Sequence, residues 1–532
     1  MVPKLWSQGQ LFAFSALDGP THFEDDLAGI LCGDKLGIRF FTKVRRELVI
    51  TGIRGFVPEY EAVTGDLIAA TTPEGSIHIL FAQAHLVVGN TAAGTQPIMI
   101  TEGAYQQIVA DGILIHDTGD GDLTALYRSG DYFAFAYGHS VQEVTELVKT
   151  PVDLMALKAQ RLQLFQDISL PDYIPYDALY AKCLSTMKTQ LYTPEGNFRR
   201  IWSTPDRLPH RRLWLWDSVF HAIGHRNIHP ALAEDLILAL FDVQGEDGFI
   251  PHMASPQKRS AITQPPVIGW GAWLVYEKSG NKEFLRQILA QNKAFLLWCQ
   301  ANRRESDAEL YTWKTTNIVT CRCDECGMDN SPRFDKLTLL EAIDFSCFMA
   351  NDVRYMAKIA DELGEPLEAA FFRDWFETIR DAINQKLWCE EDGFYYDYDM
   401  QDRQLQKLRT VASFLPLFAG ICNAHQARKL LEHLQDRNTF CTPMAIPSVS
   451  KQDPTYGTDM WRGAVWINYN YMIANGLEDY GYDLAAESIR VKTIAALDRW
   501  YQQTGTLYEF YDPENLLPPL QAESKRACPR AL

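Results

Sequence analysis

Leu337-Thr-Leu-Leu-Glu-Ala-Ile-Asp-Phe-Ser-Cys-Phe-Met-Ala-Asn-Asp-Val-Arg-Tyr-Met-Ala-Lys-Ile-Ala-Asp-Glu-Leu363 carries apolar residues at helical spacing along its length. Pro366–Leu387 repeats the pattern after a Gly-Glu-Pro break. Stretches of the same period lie on both sides. Val152–Ile168, Ala178–Leu191, Pro230–Val243, Pro266–Lys278 and Lys282–Cys299 precede the pair, and Val411–Ile421, His425–Leu434, Val465–Leu477 and Leu484–Tyr501 follow it. The spacing predicts eleven or twelve helices, many of them very apolar. Long helices in succession without intervening strands cannot build a parallel α/β sheet. A ring of helical hairpins buries them, with the most apolar helices inside and the loops lining the mouth. The reading is an (α/α)6 toroid over residues 171–514.

Residues 1–150 follow a different rule. Gly37–Phe41, Glu47–Ile50, Ile77–Phe81 and Tyr132–Tyr137 are short β-branched or aromatic runs separated by turn formers, and Asp117–Asp122 holds two Gly–Asp steps. An antiparallel β-sandwich-like domain is expected there. The fold class is therefore mainly α, with this domain ahead of the toroid. Residues 151–170 read as a linker helix and 515–532 as a Pro-rich irregular tail.

The chain has 532 residues, too many for one simple core, which agrees with this division. A net charge of −18 argues against nucleic acid and against an anionic membrane surface as partners. Neither a signal pattern nor a long uninterrupted apolar stretch is found, so a cytoplasmic protein is expected. The eleven cysteines are an odd number, and several sit inside helical patterns (Cys183, Cys299, Cys347, Cys422), which fits reduced thiols. Cys321-x-Cys323-x-x-Cys326 lacks a ready fourth ligand for zinc, and no Asp-x-Asp-x-Asp-Gly calcium series occurs. No cofactor or metal is expected.

The chemistry falls in the loops between the helices. Glu325-Cys-Gly-Met-Asp-Asn-Ser-Pro-Arg-Phe-Asp335 sets three carboxylates around a Gly and a Pro. Thr204-Pro-Asp-Arg-Leu-Pro-His210 and Trp214-Leu-Trp-Asp-Ser218 bring Arg207, His210, two tryptophans and Asp217, the last either a helix cap or a pocket acid. Gly245–His252 and Gln264-Pro-Pro266 form Gly- and Pro-rich loops. Asp459-Met-Trp-Arg-Gly-Ala-Val-Trp466 supplies a fixed cation between tryptophans, and Leu507-Tyr-Glu-Phe-Tyr-Asp-Pro513 holds Glu509 among aromatics. Gly-x-Ser-x-Gly, a Gly-rich phosphate loop and His-Glu-x-x-His are all missing. Acids on separate loops, with aromatic rings to stack on the apolar C–H faces of a sugar, best support glycoside hydrolysis of a small carbohydrate substrate. Candidate sugar-binding residues are Arg207, His210, Trp214, Trp216, Asp217, His252, Gln264, Glu325, Arg333, Trp461, Arg462, Trp466 and Tyr508.

At Thr204–His210, Trp214–Ser218, Asp247–Pro251, Gln264–Pro266, Glu325–Asp335, Trp461–Asn468 and Tyr508–Pro513, taken in order, the chain resembles glycoside hydrolase family 63 and its relatives. These include processing α-glucosidases, mannosylglycerate hydrolases and, more distantly, the family 37 trehalases. The resemblance implies an (α/α)6 barrel that hydrolyses an α-glycosidic bond with inversion. It assigns the general acid to Asp329 and the general base to Glu509, and it makes Asp217, Trp461 and Arg462 contacts of the sugar at subsite −1. An inverting pair stands roughly 6.5–9.5 Å apart, leaving room for the attacking water. An α-glucoside is the first substrate expected and an α-mannoside the second, joined to a sugar, glycerate or glycerol. A glycoside phosphorylase or epimerase on the same fold, and an inactive carbohydrate-binding protein, are the alternatives. Two departures stand out. Cys326 occupies a position where Ser or Thr is usual, and no closing helix follows Pro513, so either the helix around Tyr180 completes the ring or the barrel is partly open.

Overall fold

The computed structural model describes residues 2–6, 9–33, 35–53, 58–166, 175–208, 210–314, 323–336 and 338–522. They fall into two compact units: the first takes the chain up to Leu213 together with Asp498–Leu507, and the second takes Trp214–Leu497 and the chain from Tyr508 onward.

The two large sheets of the first unit are built, among the described residues, from β1 (Leu11–Ala13), β2 (Ala28–Leu31), β3 (Gly37–Phe41), β4 (Arg45–Thr51), β5 (Glu59–Val63), β6 (Leu67–Thr72), β7 (Gly75–Gln83), β8 (Leu86–Asn90), β9 (Gln96–Thr101), β10 (Gln106–Ala110), β11 (Ile113–Asp117), β12 (Leu123–Ser129) and β13 (Tyr132–Gly138). A five-stranded sheet runs β1-β2-β3-β4-β9, and an eight-stranded sheet runs β10-β11-β12-β13-β8-β7-β6-β5. Neighbouring strands pair antiparallel, as in Phe40 opposite Arg46 and Ala134 opposite Val88. The hairpin joining β10 to β11 turns through Asp111 and Gly112, both at positive φ, as a two-residue turn of matching twist requires.

Alternation decides which faces meet. Ile77, Ile79 and Phe81 join Phe12, Phe40 and Phe135 in one core drawn from both sheets. Phe40 stacks on Phe135 at 5.4 Å and Phe12 on Phe81 at 5.0 Å. The intervening Leu80, Val88, Ala134 and Ala136 point the other way, where helices α1 (Val141–Val148) and α2 (Leu154–Leu162) cover them with Val144, Val148 and Leu157. This explains why β8 and β13 read as nearly continuous apolar runs: they are buried on both faces. Two of its buried cations share a carboxylate. Lys188, on α3 (Asp177–Thr189), reaches Asp66 at 2.6 Å and Asp18 at 2.9 Å, while Arg161 on α2 reaches Asp18 at 2.9 Å.

The second unit is helical: α4 (Leu215–His225), α5 (Pro230–Asp242), α6 (Ile268–Ser279), α7 (Lys282–Asn302), α8 (Ile343–Leu363), α9 (Pro366–Lys386), α10 (Leu415–Phe418), α11 (Ala424–Gln435), α12 (Ile467–Asp479) and most of α13 (Asp483–Thr504). α8 is buried nearly all round, whereas α9 buries only the stripe Ala369, Phe372, Trp375, Ile379 and Ile383. Gly364 ends α8 at φ 76, and Pro366 opens α9, where its missing N–H has no partner to lose. α8 packs on α6, α7, α9 and α10; α4 packs on α5 and α6; α10 packs on α12. Rings link four of these helices: Phe220 to Trp270 at 5.9 Å, and Trp270 to Phe418 at 5.0 Å and to Tyr471 at 6.0 Å. A Cβ on Gly271 would lie 2.2 Å from Val219, so α4 and α6 approach as closely as they do only because glycine is there.

Three expected elements are corrected. Leu337 lies outside the described residues, and the helix expected from it starts at Ile343, because Leu340–Glu341 pair with Tyr398–Asp399 as short strands. Val411–Ile421 is a 3-10 turn followed by one short helix, with Pro416 near the junction. The helix expected from Pro266 begins at Ile268, consistent with the two prolines before it. Of the expected tail, 523–532 lies outside the described residues and Pro519–Gln521 forms one 3-10 turn. Among the described residues, no helix is long and apolar enough to cross a membrane.

Asp352 shows what the inner helix α8 demands of a charge. It is fully buried and accepts the Trp270 N–H at 3.1 Å and the Asn292 side-chain N–H at 2.7 Å. Burial pushes its carboxyl up from 3.8 to about 6, against the lowering effect of these hydrogen bonds. A raised folded pKa stabilises fully below 3.8, and that contribution is lost as pH rises through about 6. Asn292 Oδ1 has no partner among the described residues, so a flipped amide can receive an asparagine at 352. Asp352→Asn is expected to raise stability above pH 6 by about 1–3 kcal/mol and to flatten its pH dependence, as read by denaturant unfolding at pH 5 and pH 8.

Candidate active site

The acidic loop is irregular but fixed. Glu325 is completely buried, and Arg303 at the end of α7 grips its carboxylate with Nη2 at 2.6 Å and Nε at 3.2 Å. The same carboxylate accepts the N–H groups of Lys314 at 2.8 Å and Thr263 at 3.3 Å. Cys326 donates its thiol to the Cys323 carbonyl and accepts the Met328 N–H at 3.2 Å, so its sulfur fills the role of a hydroxyl. Burial pushes this thiol well above its usual range, which keeps it a protonated donor. Gly327 adopts φ 70, and a Cβ there would lie 2.4 Å from the Trp216 ring. Cys323 N–H donates to the Asp329 carbonyl at 3.1 Å. Asp329 itself is half-buried.

Beyond Asp329 the loop is clamped again. Arg333 is buried and binds Asp397 through Nε at 2.7 Å and Nη2 at 2.7 Å, and Asp344 through Nη2 at 2.8 Å. Asp335 pairs with Arg462, whose Nη1 lies 3.0 Å from Oδ2. A second bond joins the same two segments: Asn330 Oδ1 accepts the Trp461 N–H at 3.0 Å.

The aromatic wall grows from that bond. Trp461 is buried and stacks on half-buried Trp466, centroids 3.9 Å apart and planes 7° apart. Trp466 stacks in turn on Phe510 at 5.5 Å. Val465 and Tyr511 exchange backbone hydrogen bonds of 2.9 and 3.1 Å, which fixes the segment holding Glu509 beside the tryptophans. Glu509 is exposed, and the neighbouring Tyr508 is half-buried.

The remaining motifs of the second unit meet around α4. Its N-cap is Trp214, and Asp217 lies in its first turn, half-buried, where the helix dipole favours an anion. Asp217 is therefore not the capping residue. Leu215 N–H donates to the His252 carbonyl at 3.0 Å, and the rings of Trp214 and His252 meet edge-on at 5.1 Å. Gln264 Oε1 accepts the Trp216 N–H at 3.3 Å. Gln264, Trp216, Gly327 and the acid loop thus form one connected wall.

Three expected sugar contacts are corrected to parts of the framework. Glu325 and Arg333 hold the acid loop from within, their polar atoms engaged by buried partners. Arg207 belongs to the first unit, where it is fully buried and donates to Asp26 at 3.0 Å and to the carbonyls of Thr189, Phe14 and Leu191. His210, also in that unit, is exposed with Nδ1 3.1 Å from Asp206. The reading from sequence missed Arg303, Asn330, Asp344 and Asp397. Asp344 gave a signal, an acid inside the apolar run of α8; Arg303 followed by Arg304 gave none. Cys321 lies outside the described residues, and Cys323 and Cys326 are free and buried.

Residues 210–515 match the model of the mannosylglycerate hydrolase MGH1-like glycoside hydrolase domain. A mannosylglycerate hydrolase of Thermus thermophilus is 27% identical over 399 residues, covering 60% of this chain and 93% of its own length. The crystal structure of a GH63 mannosylglycerate hydrolase from Thermus thermophilus in complex with glucose aligns at a TM-score of 0.54 and 25% identity, over 64% of this chain and 95% of that one. A bacterial glucoamylase complexed with acarbose aligns over 98% of this chain and 94% of its own at a TM-score of 0.58; at 12% identity this bears on the fold alone. Matched domain, loop set and relatives define a glycoside hydrolase. Within that class, the chain belongs to the mannosylglycerate hydrolase MGH1-like family of GH63-like enzymes.

Breaking a buried ion pair strands the other charge in a low dielectric. Arg303→Ala is expected to cost about 3–5 kcal/mol in denaturant unfolding. It should also lower hydrolytic activity at temperatures where the variant is still folded, because Glu325 then no longer holds the acid loop.

Proposed function

We propose that this enzyme hydrolyses an α-glycosidic bond with inversion, in a glycosylglycerate or a short oligosaccharide. Asp329 acts as general acid and protonates the departing glycosidic oxygen. Glu509 acts as general base and takes a proton from a water attacking the opposite face of the sugar. The observation that carries the reading is the run of contacts Asn330–Trp461–Trp466–Phe510, which joins the loop of one acid to the loop of the other. Asp329 is half-buried and Glu509 exposed, so a sugar and a water can reach both. Asp217 and Arg462 would contact the sugar, with Trp461 backing Trp466 from behind and Trp214, Trp216, His252, Gln264, Trp466 and Tyr508 shaping the pocket around it.

The succession of contacts α4–α6–α8–α10–α12, with α5, α7 and α9 packed beside it, supports an (α/α)6 arrangement of these helices. The mannosylglycerate hydrolases among the relatives support a mannosylglycerate as substrate, beside the α-glucoside that the sequence alone favoured; an α-linkage is proposed for it. A glycerate needs a cation beside the leaving group. Lys258 is exposed on the turn that follows His252 and is the candidate for it.

Asp329→Asn and Glu509→Gln are each expected to lower kcat on α-mannosylglycerate by about 10²–10⁴-fold with an unchanged unfolding midpoint. The wild-type pH–rate profile should be bell-shaped, losing its alkaline limb in Asp329→Asn and its acid limb in Glu509→Gln. Ordinary turnover by either variant on this substrate, or on its glucosyl counterpart if that is the one cleaved, contradicts the assignment.

A further inference from the structure

Asn330 directly follows Asp329 and is 5% exposed. Its amide oxygen is committed to the main chain of another loop, the Trp461 N–H at 3.0 Å. That N–H sits in a turn that needs holding. Met460 adopts φ 43, a left-handed conformation unfavourable for a residue with a side chain, and Arg462 N–H closes the turn on the Asp459 carbonyl at 2.8 Å. The Trp466 indole N–H adds a bond to the Met460 carbonyl at 3.1 Å. Asp329 is therefore held through the peptide that follows it, by Cys323 N–H on its own carbonyl at 3.1 Å and by Asn330 one residue later. Arg462 and Asp335 also join these loops, but from longer, partly exposed side chains six residues beyond the acid.

We propose that Asn330 is a positioning residue. Through its amide oxygen it sets where the Asp329 carboxyl stands relative to the tryptophan wall and the Glu509 loop, without touching the sugar. This rests on the reading of Asp329 as general acid. A general acid must come within hydrogen-bond reach of the leaving oxygen, and a displacement of about 1 Å can lower the rate on the order of 10²-fold. The bond requires an acceptor at residue 330. An aspartate keeps one; an alanine does not.

The test compares two substrates with the same sugar: α-mannosylglycerate, whose alkoxide leaves poorly without a proton, and α-mannosyl fluoride, whose fluoride leaves with far less help from an acid. The glucosyl pair is run alongside. A partly unfolded sample lowers kcat/KM equally on both substrates, so the ratio between them isolates acid catalysis from stability. Asn330→Ala is expected to lower kcat/KM about 10–100-fold on the glycerate conjugate and much less on the fluoride. Asn330→Asp should stay closer to wild type than Asn330→Ala on the conjugate. An equal loss on both substrates, no loss on the conjugate, or an aspartate no better than alanine overturns the proposal. Asp329→Asn is measured in parallel. If it too loses equally on both substrates, the acid assignment fails and the role of Asn330 falls with it; if it discriminates and Asn330→Ala does not, only the role of Asn330 fails.

Discussion

The pair of Arg303 and Glu325, both out of water, is the constraint on which the rest of the catalytic unit depends. A loop containing Gly327 and Pro332 has no regular hydrogen-bond ladder to fix it. Its backbone is held by side chains, and buried charges are the most demanding of these because neither partner tolerates the loss of the other. The loop is clamped at Glu325, again at Arg333 by Asp344 and Asp397, and a third time at Asp335 by Arg462. Asp329 lies between the first clamp and the second. Rigid placement of an acid on irregular backbone is what proton transfer to a leaving oxygen requires.

The helices provide the frame for that loop. α7 delivers Arg303, α8 delivers Asp344, and the N-terminal turn of α4 delivers Trp216 to the space left open by Gly327. Inner helices buried on every face leave no room for an unpartnered charge, so Asp344 and Asp352 are both hydrogen-bonded. One pairs with the acid loop; the other is raised by burial toward neutrality.

Much of this frame was legible from periodicity. Both α8 and α9 were expected as helices from their spacing, and the structure buries the first nearly all round and the second along one stripe. The strand Leu340–Glu341 was not legible, because its partner lies across the α8–α9 hairpin at Tyr398–Asp399 and local spacing does not report such pairing. The loop motifs of the second unit could be read as a set, and the structure joins them through backbone and ring contacts. The framework charges within those loops could not be told from pocket charges. In sequence, Arg333 looks the same whether it faces a sugar or Asp397, 64 residues away, and Arg207 whether it faces solvent or Asp26, 181 residues away. Arg207, Glu325 and Arg333 were therefore overread as ligands, and Asn330, beside the most conspicuous acid, was passed over.

The proposed mechanism sets two carboxylates on separate loops to act across one bond, with a water admitted between them. It predicts stereochemistry, and proton NMR of the first turnovers of wild-type enzyme on α-mannosylglycerate, or on the α-glucosyl compound if that is the one cleaved, reads it directly. The β-anomer of the free sugar is expected to appear first and the α-anomer only later, by mutarotation. Initial release of the α-anomer would mean retention, place the second carboxylate close enough to attack the sugar itself, and contradict this mechanism.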